Sequence, residues 1–348
     1  MISEIRLRQF RSYLDSTFSF SPGVNVIVGP NASGKTNLLE AAMLVSTGKS
    51  YRSNNHYLVK EGCDWARVDA VTNNDKRTLK LTLQPTMSKE FVVNNRASSR
   101  LPIKSQHPVV LFEPNCLLII TGSPELRRSY LDEILKQTRP GYAGIVNQYT
   151  KTVRQRNALI KQRDKKREEI FPWNIRLSQL AGKIVAERAS LIETLNNDLT
   201  KTYRSLSGQK ENIKLKYKTN INLYQYENNL FNQLEAEHEL DALRGYTNSG
   251  PHREDVEILI NNNLPTDKSS RGEVRSLLLS MKYLERNILI KYLGTKPLLL
   301  LDDVFSELDQ TRRGFMNELF SGSQAIITTI EKIKLPTSGT QLINLLNQ

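Results

Sequence analysis

Residues 29–36 read GPNASGKT, which places two glycines, a lysine and a threonine at the spacing G-x-x-x-x-G-K-[ST]. This spacing predicts a phosphate-binding loop. Gly29 and Gly34 let the backbone turn so that N–H groups of Pro30's neighbours Asn31, Ala32 and Ser33 point inward at phosphate oxygens. Lys35 reaches toward the β- and γ-phosphates, and the Thr36 hydroxyl is placed to hold Mg²⁺. A chance glycine-rich turn is the plain alternative. At average composition such a match arises by accident in about one chain in a hundred of this length. The flanks argue against accident. GVNVIVG before the loop is β-branched and apolar, a buried strand. KTNLLEAAMLVSTG after it has helical spacing with Gly48 as a C-terminal stop. The N-terminus of that helix adds partial positive charge beneath the phosphates.

Composition narrows what such a loop serves. The chain has 348 residues, 39% of them hydrophobic, enough for a sizeable core and two lobes. No apolar run approaches the ~20 residues of a membrane span. The opening MISEIRLRQF carries Arg6 and Arg8 where a signal peptide has its apolar core. Cys63 and Cys116 are the only cysteines, so a reducing, cytoplasmic setting is expected, without a disulfide framework or a cysteine zinc site. A net charge of +13 suits a polyanionic partner, nucleic acid before membrane.

Text that reads as strands brackets a helical middle. ISEIRLRQF and LDSTFSFS pair ahead of the loop, and RVDAVT, RTLKLTLQP and EFVVNN alternate apolar and polar after it. At TGSPELRRSYLDEIL the period changes, with Ser123 as a cap and Pro124 at the first helical position. Helical periodicity then runs to about residue 240, and 175–204 is amphipathic. Strand text returns with EDVEILI, PLLLLDD and QAIITTI, while the tail after Lys332 is weakly patterned and is expected to fray. One α/β nucleotide-binding layer is therefore expected from residues 1–110 and 245–348, with 111–244 inserted as a mainly helical lobe.

Two further stretches belong with the loop. PLLLLDD ends a buried strand in two acids. Asp302 is placed to hold Mg²⁺ with Thr36, and Asp303, one step further out, to orient an attacking water. The bland alternative is a strand that runs into a helix cap. Ser270-Arg271-Gly272-Glu273 reads first as an S-x-x-E capping box. The sharper reading makes the Ser270 hydroxyl, the Gly272 N–H and the helix N-terminus a second anion site, facing the γ-phosphate of a nucleotide held by another copy.

Phosphate loop, signature helix and acid-ending strand, in this order, resemble ABC-type ATPases. The finer resemblance is to the RecF family, bacterial recombination mediators related to SMC proteins. It rests on IRLRQFRSY, GPNASGKTNLLEA, TGSPELRRSYLD, RQRNALIKQ, GPHRED and DDVFSELD, spread in order over residues 5–309. SMC heads are split by hundreds of coiled-coil residues, whereas only 266 positions (302 − 36) separate Thr36 from Asp302 here. The family's L-S-R-G-Q signature appears as SSRGE, with Ser269 for Leu and Glu273 for Gln, and VVLFEPN offers no glutamine for a Q-loop. The resemblance implies an ABC/SMC-type head that binds ATP and Mg²⁺ and dimerises on ATP across Ser270. It implies a weak, DNA-stimulated ATPase that grips duplex DNA near single-strand gaps and helps load recombinase with RecO- and RecR-like partners. It also places Arg11 near the adenine.

Two other classes compete. A transporter's ATPase subunit would carry a glutamate after the strand-ending aspartate and a clear Q-loop, and would copurify with membranes. A small-molecule kinase would need neither signature helix nor the SELD stretch at 306–309, and would yield a phosphorylated metabolite. The basic residues are uneven: eight Lys or Arg fall within 151–167. Such a run is either a solvated helix face or a DNA contact. Arg127 and Arg128 read as a structural pair, with a phosphate contact as the alternative.

Overall fold

The computed structural model describes every residue except 53–54, 163–166, 266–268, 304–309, 331–339 and 346–348, and it leaves the side chains of 167 and 310–313 undescribed. The strands are β1 (Ile2–Phe10), β2 (Tyr13–Ser19), β3 (Val24–Val28), β4 (Trp65–Thr72), β5 (Lys76–Thr82), β6 (Ser88–Val93), β7 (Arg96–Ser98), β8 (Val109–Phe112), β9 (Ile213–Lys218), β10 (Asp255–Ile260), β11 (Leu298–Asp302), β12 (Ala325–Thr329) and β13 (Gln341–Asn344). The α-helices are α1 (Lys35–Thr47), α2 (Leu118–Thr121), α3 (Pro124–Thr138), α4 (Tyr142–Ile160), α5 (Arg167–Ser207), α6 (Tyr226–Ala236), α7 (His238–Arg244), α8 (Arg271–Leu293) and α9 (Gln310–Phe320).

The chain divides into two compact units, Met1–Pro114 with Glu285–Gln348, and Asn115–Leu284. In the first, two sheets enclose one helix. An antiparallel sheet runs in the order β2-β1-β4-β5-β6-β7, and a parallel sheet in the order β13-β3-β12-β11-β8. α1 packs on β11 and β12 and also on β1, β4 and β5. Its residues Leu38, Leu39, Ala41, Ala42, Leu44 and Val45 are buried on every side of the helix, as enclosure between two layers requires. The inner parallel strands β3, β11 and β12 are buried along nearly their whole length because both faces are covered. VNVIV and AIITT are buried at every position. β3 is thus flanked by strands from the far end of the chain, as the bracketing pattern predicts. The tail departs from expectation: residues 341–344 form β13 and pair with β3 from Gln341↔Asn25 to Asn344↔Val28.

In the second unit the expected helices surround a two-stranded sheet. β9, IKLKYK, alternates buried and exposed and lies inside text that reads as helical. It pairs with β10 in register from Ile213↔Ile260 to Lys218↔Asp255. The other edge of β9 is closed by side chains of α5. Asn196 bonds the Leu215 carbonyl and N–H at 2.9 and 2.8 Å, and Thr200 bonds those of Ile213 at 2.9 and 3.0 Å. One turn of helix so replaces a neighbouring strand, which protects an otherwise open edge.

These contacts move the second boundary from 245 to 284. Residues 245–284 belong with the helices because, among the described residues, the strand that pairs with β10 is β9 and because α3 holds its start. Arg127 grips Asp255 through both oxygens at 2.8 and 2.7 Å, and Arg128 donates to the Glu254 carbonyl. The paired arginines therefore carry the structural role. Ser123 occupies the N-cap position of α3 with Pro124 next, but its side chain makes no capping bond. In the basic run, Arg156 is wholly buried and paired with the equally buried Asp241 at 2.7 Å, so it belongs to the core. Lys161 is exposed, and 163–166 lie outside the described residues. GPHRED is largely internal as well, with Arg253 exposed. Glu254 accepts from Tyr217, Tyr226 and Thr219 at 2.5–2.6 Å. His252 Nε2 faces the Thr247 carbonyl, so it carries the proton, and Nδ1 accepts from the Tyr149 hydroxyl at 2.6 Å.

Candidate nucleotide-binding site

β3 ends at Val28 and α1 begins at Lys35, so GPNASGKT is the turn between a buried strand and a helix N-terminus. Two positions in it take left-handed backbone, Ala32 at φ 63° and Gly34 at φ 97°. Gly34 also has no room for a side chain: a Cβ there would lie 2.7 Å from the Tyr13 hydroxyl and 2.9 Å from Ser12 Oγ. The β1–β2 turn thus presses against the loop, and Asn37 donates to Ser12 Oγ at 2.9 Å.

Lys35 folds back over the turn. Its Nζ donates to the carbonyls of Gly29 and Pro30 at 2.7 and 2.8 Å, and the residue is 8% exposed. Burial holds the ammonium below the ordinary lysine value, and the carboxylates of Asp303 and Asp302 oppose that shift. A partly desolvated cation beside a helix N-terminus is a site for an anion of high charge.

β11 lies two strands from β3, with β12 between them. Thr36 Oγ1 donates to Asp302 Oδ1 at 3.0 Å. Thr328 on β12, in register with Asp302, donates to the same oxygen at 2.7 Å. Thr328 Oγ1 in turn accepts from the Asp303 N–H at 3.0 Å. Asp303 adopts φ 51°, a left-handed conformation that aspartate tolerates and that turns the chain out of the sheet. Thr328 was not singled out from the sequence. Its only trace there is as one of two adjacent threonines ending an apolar strand, which reads as ordinary β-branched text.

Thr36 and Asp302 fit Mg²⁺. They bring a neutral hydroxyl and one carboxylate oxygen together, hard donors of the kind and number this ion takes when phosphates and water complete its shell. Among the described residues no group of three or more His, Cys, Asp and Glu forms a self-sufficient metal cluster.

The remaining expected residues fall elsewhere. Arg11, at φ 53°, donates from Nε and Nη2 to both oxygens of Glu40 at 2.9 and 3.0 Å. Glu40 is fully buried on α1, so the edge of the guanidinium is committed to the helix. Ser270 and Gly272 belong to the second unit. There the capping box is closed: Glu273 N–H donates to Ser270 Oγ at 3.2 Å, and Ser270 N–H donates to Glu273 Oε2 at 2.6 Å. Glu273, the departure from the signature, is the residue that completes it. Glu113 directly follows β8, where the Q-loop glutamine was sought. The SELD stretch lies outside the described residues.

The comparisons agree with this geometry. Residues 1–347 match the family model described as the RecF/RecN/SMC N terminal domain. A DNA replication and repair protein RecF of Acaryochloris marina is 32% identical over 346 residues, covering 94% of this chain and 92% of that protein. One from Lactobacillus johnsonii is 31% identical, covering 95% and 92%. Among solved structures, the recombination mediator protein RecF with ATPrS superposes with a TM-score of 0.87 at 30% identity, over 99% of this chain and 96% of that one. An SMC head bound to the winged-helix domain of ScpA shares the fold at TM-score 0.55 and 18% identity, covering 95% and 90%. The phosphate loop, the acid-ending strand beside it and matches over nearly the whole length together place this chain in the RecF family, with the α/β head of SMC-type ATPases.

Proposed function

We propose that this chain is an ATP-dependent DNA-binding protein of recombinational repair that dimerises on duplex DNA near single-strand gaps. The observation that carries this reading is the convergence of Lys35, Thr36, Asp302 and Asp303 at the ends of β3 and β11. Residues 1–114 and 285–348 form the ATPase lobe, and 115–284 the lobe appended to it. The turn from Gly29 to Thr36 binds ATP, with the N–H groups of Asn31, Ala32, Ser33 and Gly34 and the Lys35 ammonium on its phosphates. Thr36 and Asp302 hold Mg²⁺, which supplies neutralisation of charge on the outer phosphates. Asp303 orients the water. Arg11, clamped edge-on by Glu40, offers the flat face of its guanidinium to the adenine. Ser270 and Gly272 recognise the γ-phosphate in the partner copy, so ATP closes a sandwich of two protomers. Slow hydrolysis, stimulated by DNA, reopens it.

The net charge of +13 supports a polyanionic partner. By kinship with proteins named for the RecFOR pathway, the complex hands gapped DNA to RecO- and RecR-like mediators for recombinase loading. A transporter subunit fits less well. Among the described residues no helix is long and apolar enough to cross a membrane, and the acid after Asp302 is an aspartate.

The test is titration of a gapped duplex at several salt concentrations, with and without ATP, followed by sedimentation. If the closed dimer neutralises ~6 phosphates, log affinity falls against log salt with a slope of about −5. ATP should strengthen binding by closing two basic surfaces on one duplex. Lys35→Ala should lose the ATP effect. Nucleotide-independent or salt-insensitive binding would refute the reading.

A further inference from the structure

After its C-cap at Gly48 the chain doubles back along α1. A helix of 13 residues is about 20 Å long. Yet Ser50 Oγ donates to Glu40 Oε1 at 2.5 Å, and Glu40 stands one turn beyond Thr36 on the same face. Glu40 is itself fixed by Arg11. Ser50 Oγ further accepts from the Arg52 N–H at 3.1 Å, which closes a tight turn around Tyr51.

Tyr51 therefore arrives at the loop end of α1. Its hydroxyl is buried and has no hydrogen-bond partner among the described residues. Among the charged groups that act on it, Asp302 comes first and Glu113 second. These two end adjacent strands of the parallel sheet, where Leu301 pairs with Phe112. Burial, reinforced by those carboxylates, pushes the phenol well above its ordinary value, so it stays protonated and remains a donor. A buried donor left without an acceptor is rare. This one feels the charge of the Asp302 and Glu113 carboxylates and bonds neither.

We propose that Tyr51 donates its hydroxyl hydrogen to an oxygen of the terminal phosphate of a nucleotide held by residues 29–36, so that the site separates a triphosphate from a diphosphate. The inference rests on the ATP reading above. A neutral donor suits the position, because it binds an anionic oxygen without competing with Mg²⁺ for Asp302.

Tyr51→Phe removes one oxygen and keeps the ring. Since that oxygen has no hydrogen-bond partner among the described residues, the nucleotide-free variant should melt with the wild type. Affinity for a non-hydrolysable ATP analogue with Mg²⁺ should fall tenfold or more, the effect of losing a hydrogen bond to a charged group. Affinity for ADP should stay within twofold. Unchanged affinity for both nucleotides, or an equal fall for both, would overturn the proposal while the phosphate loop stands. Failure of the wild type to bind either nucleotide would overturn the phosphate loop itself, and this inference with it.

Discussion

Thr328→Val tests how Asp302 is held. The substitution keeps the shape of a residue that is fully buried on β12 and removes only its hydroxyl. That hydroxyl donates to Asp302 Oδ1 at 2.7 Å and accepts from the Asp303 N–H at 3.0 Å. The first bond is to a carboxylate and contributes roughly 1.5–3 kcal/mol, and the Asp303 N–H left behind adds about 1 kcal/mol or more. Thr36 still donates to the same oxygen at 3.0 Å, which limits the loss. A destabilisation of about 2–4 kcal/mol follows, or roughly 5–12 °C in Tm for a unit of this size. Thr328→Ser, which keeps the oxygen and loses a methyl, should cost about 1 kcal/mol. Thermal melts with and without Mg²⁺ and ATP read both effects, because a displaced Asp302 also weakens the Mg²⁺-dependent part of ATP binding. If the valine variant melts within a degree of the wild type and binds Mg-ATP equally well, Thr328 does not position Asp302.

Asp303→Asn should bind Mg-ATP and turn over at least tenfold more slowly, leaving long-lived dimers in sedimentation; full turnover would exclude it as the residue that orients water. Ser270→Arg should leave monomer affinity for ATP intact and abolish ATP-dependent dimers, and dimers that persist would reduce SSRGE to its capping box. Arg156→Met should destabilise by about 3–5 kcal/mol by stranding the buried Asp241, and Arg156→Met with Asp241→Leu should recover most of the loss in denaturant titration. Burial lowers His107 and His252 from 6.5 to about 4 in the folded chain. Between these values the unfolded chain binds more protons, so their contribution is present above pH 6.5 and disappears as pH falls toward 4. Denaturation midpoints at pH 7, 5.5 and 4.5 should decline accordingly, and an unchanged midpoint would refute the assignment.

What could be read from the sequence follows the range of the interaction. The phosphate loop is a local device, a strand, a turn and a helix in consecutive residues, so Gly29–Thr36 announces itself. Asp302 was legible only in company: alone, an apolar strand ending in acids reads equally as a strand that runs into a helix cap, and the phosphate loop elsewhere in the chain tips the reading. Thr328 was not, since its meaning comes from standing opposite Asp302 across a strand pair. β9 was hidden because IKLKYK is short and the residues that complete its edge, Asn196 and Thr200, sit on a helix where amide and hydroxyl look like surface. That concealment misplaced the boundary at 245: β10 looks like sheet text, and only its partner shows which sheet. Charge counting failed at Arg156 for the same reason, as nothing near it in sequence marks Asp241 as its counterion. The tail after Lys332 holds Leu342, Ile343 and Leu345 but shows no period of two, so β13 emerges only from its pairing with β3.

The position of β3 has a consequence for how the molecule is made. Its neighbours are β12 and β13, about 300 residues further along the chain. At typical rates of synthesis the phosphate-loop strand waits roughly 15–60 s for both of them. The second unit is an uninterrupted run, Asn115–Leu284, and can fold as it emerges. The first is assembled from distant pieces, with the slow, non-local pairing that parallel sheets impose. During that interval VNVIV is an unpaired apolar strand, a target for chaperones and a liability for aggregation. A chain cut before residue 325 keeps the full GPNASGKT sequence and has no strand beside it, so the ability to hold a phosphate certifies that translation went past β12.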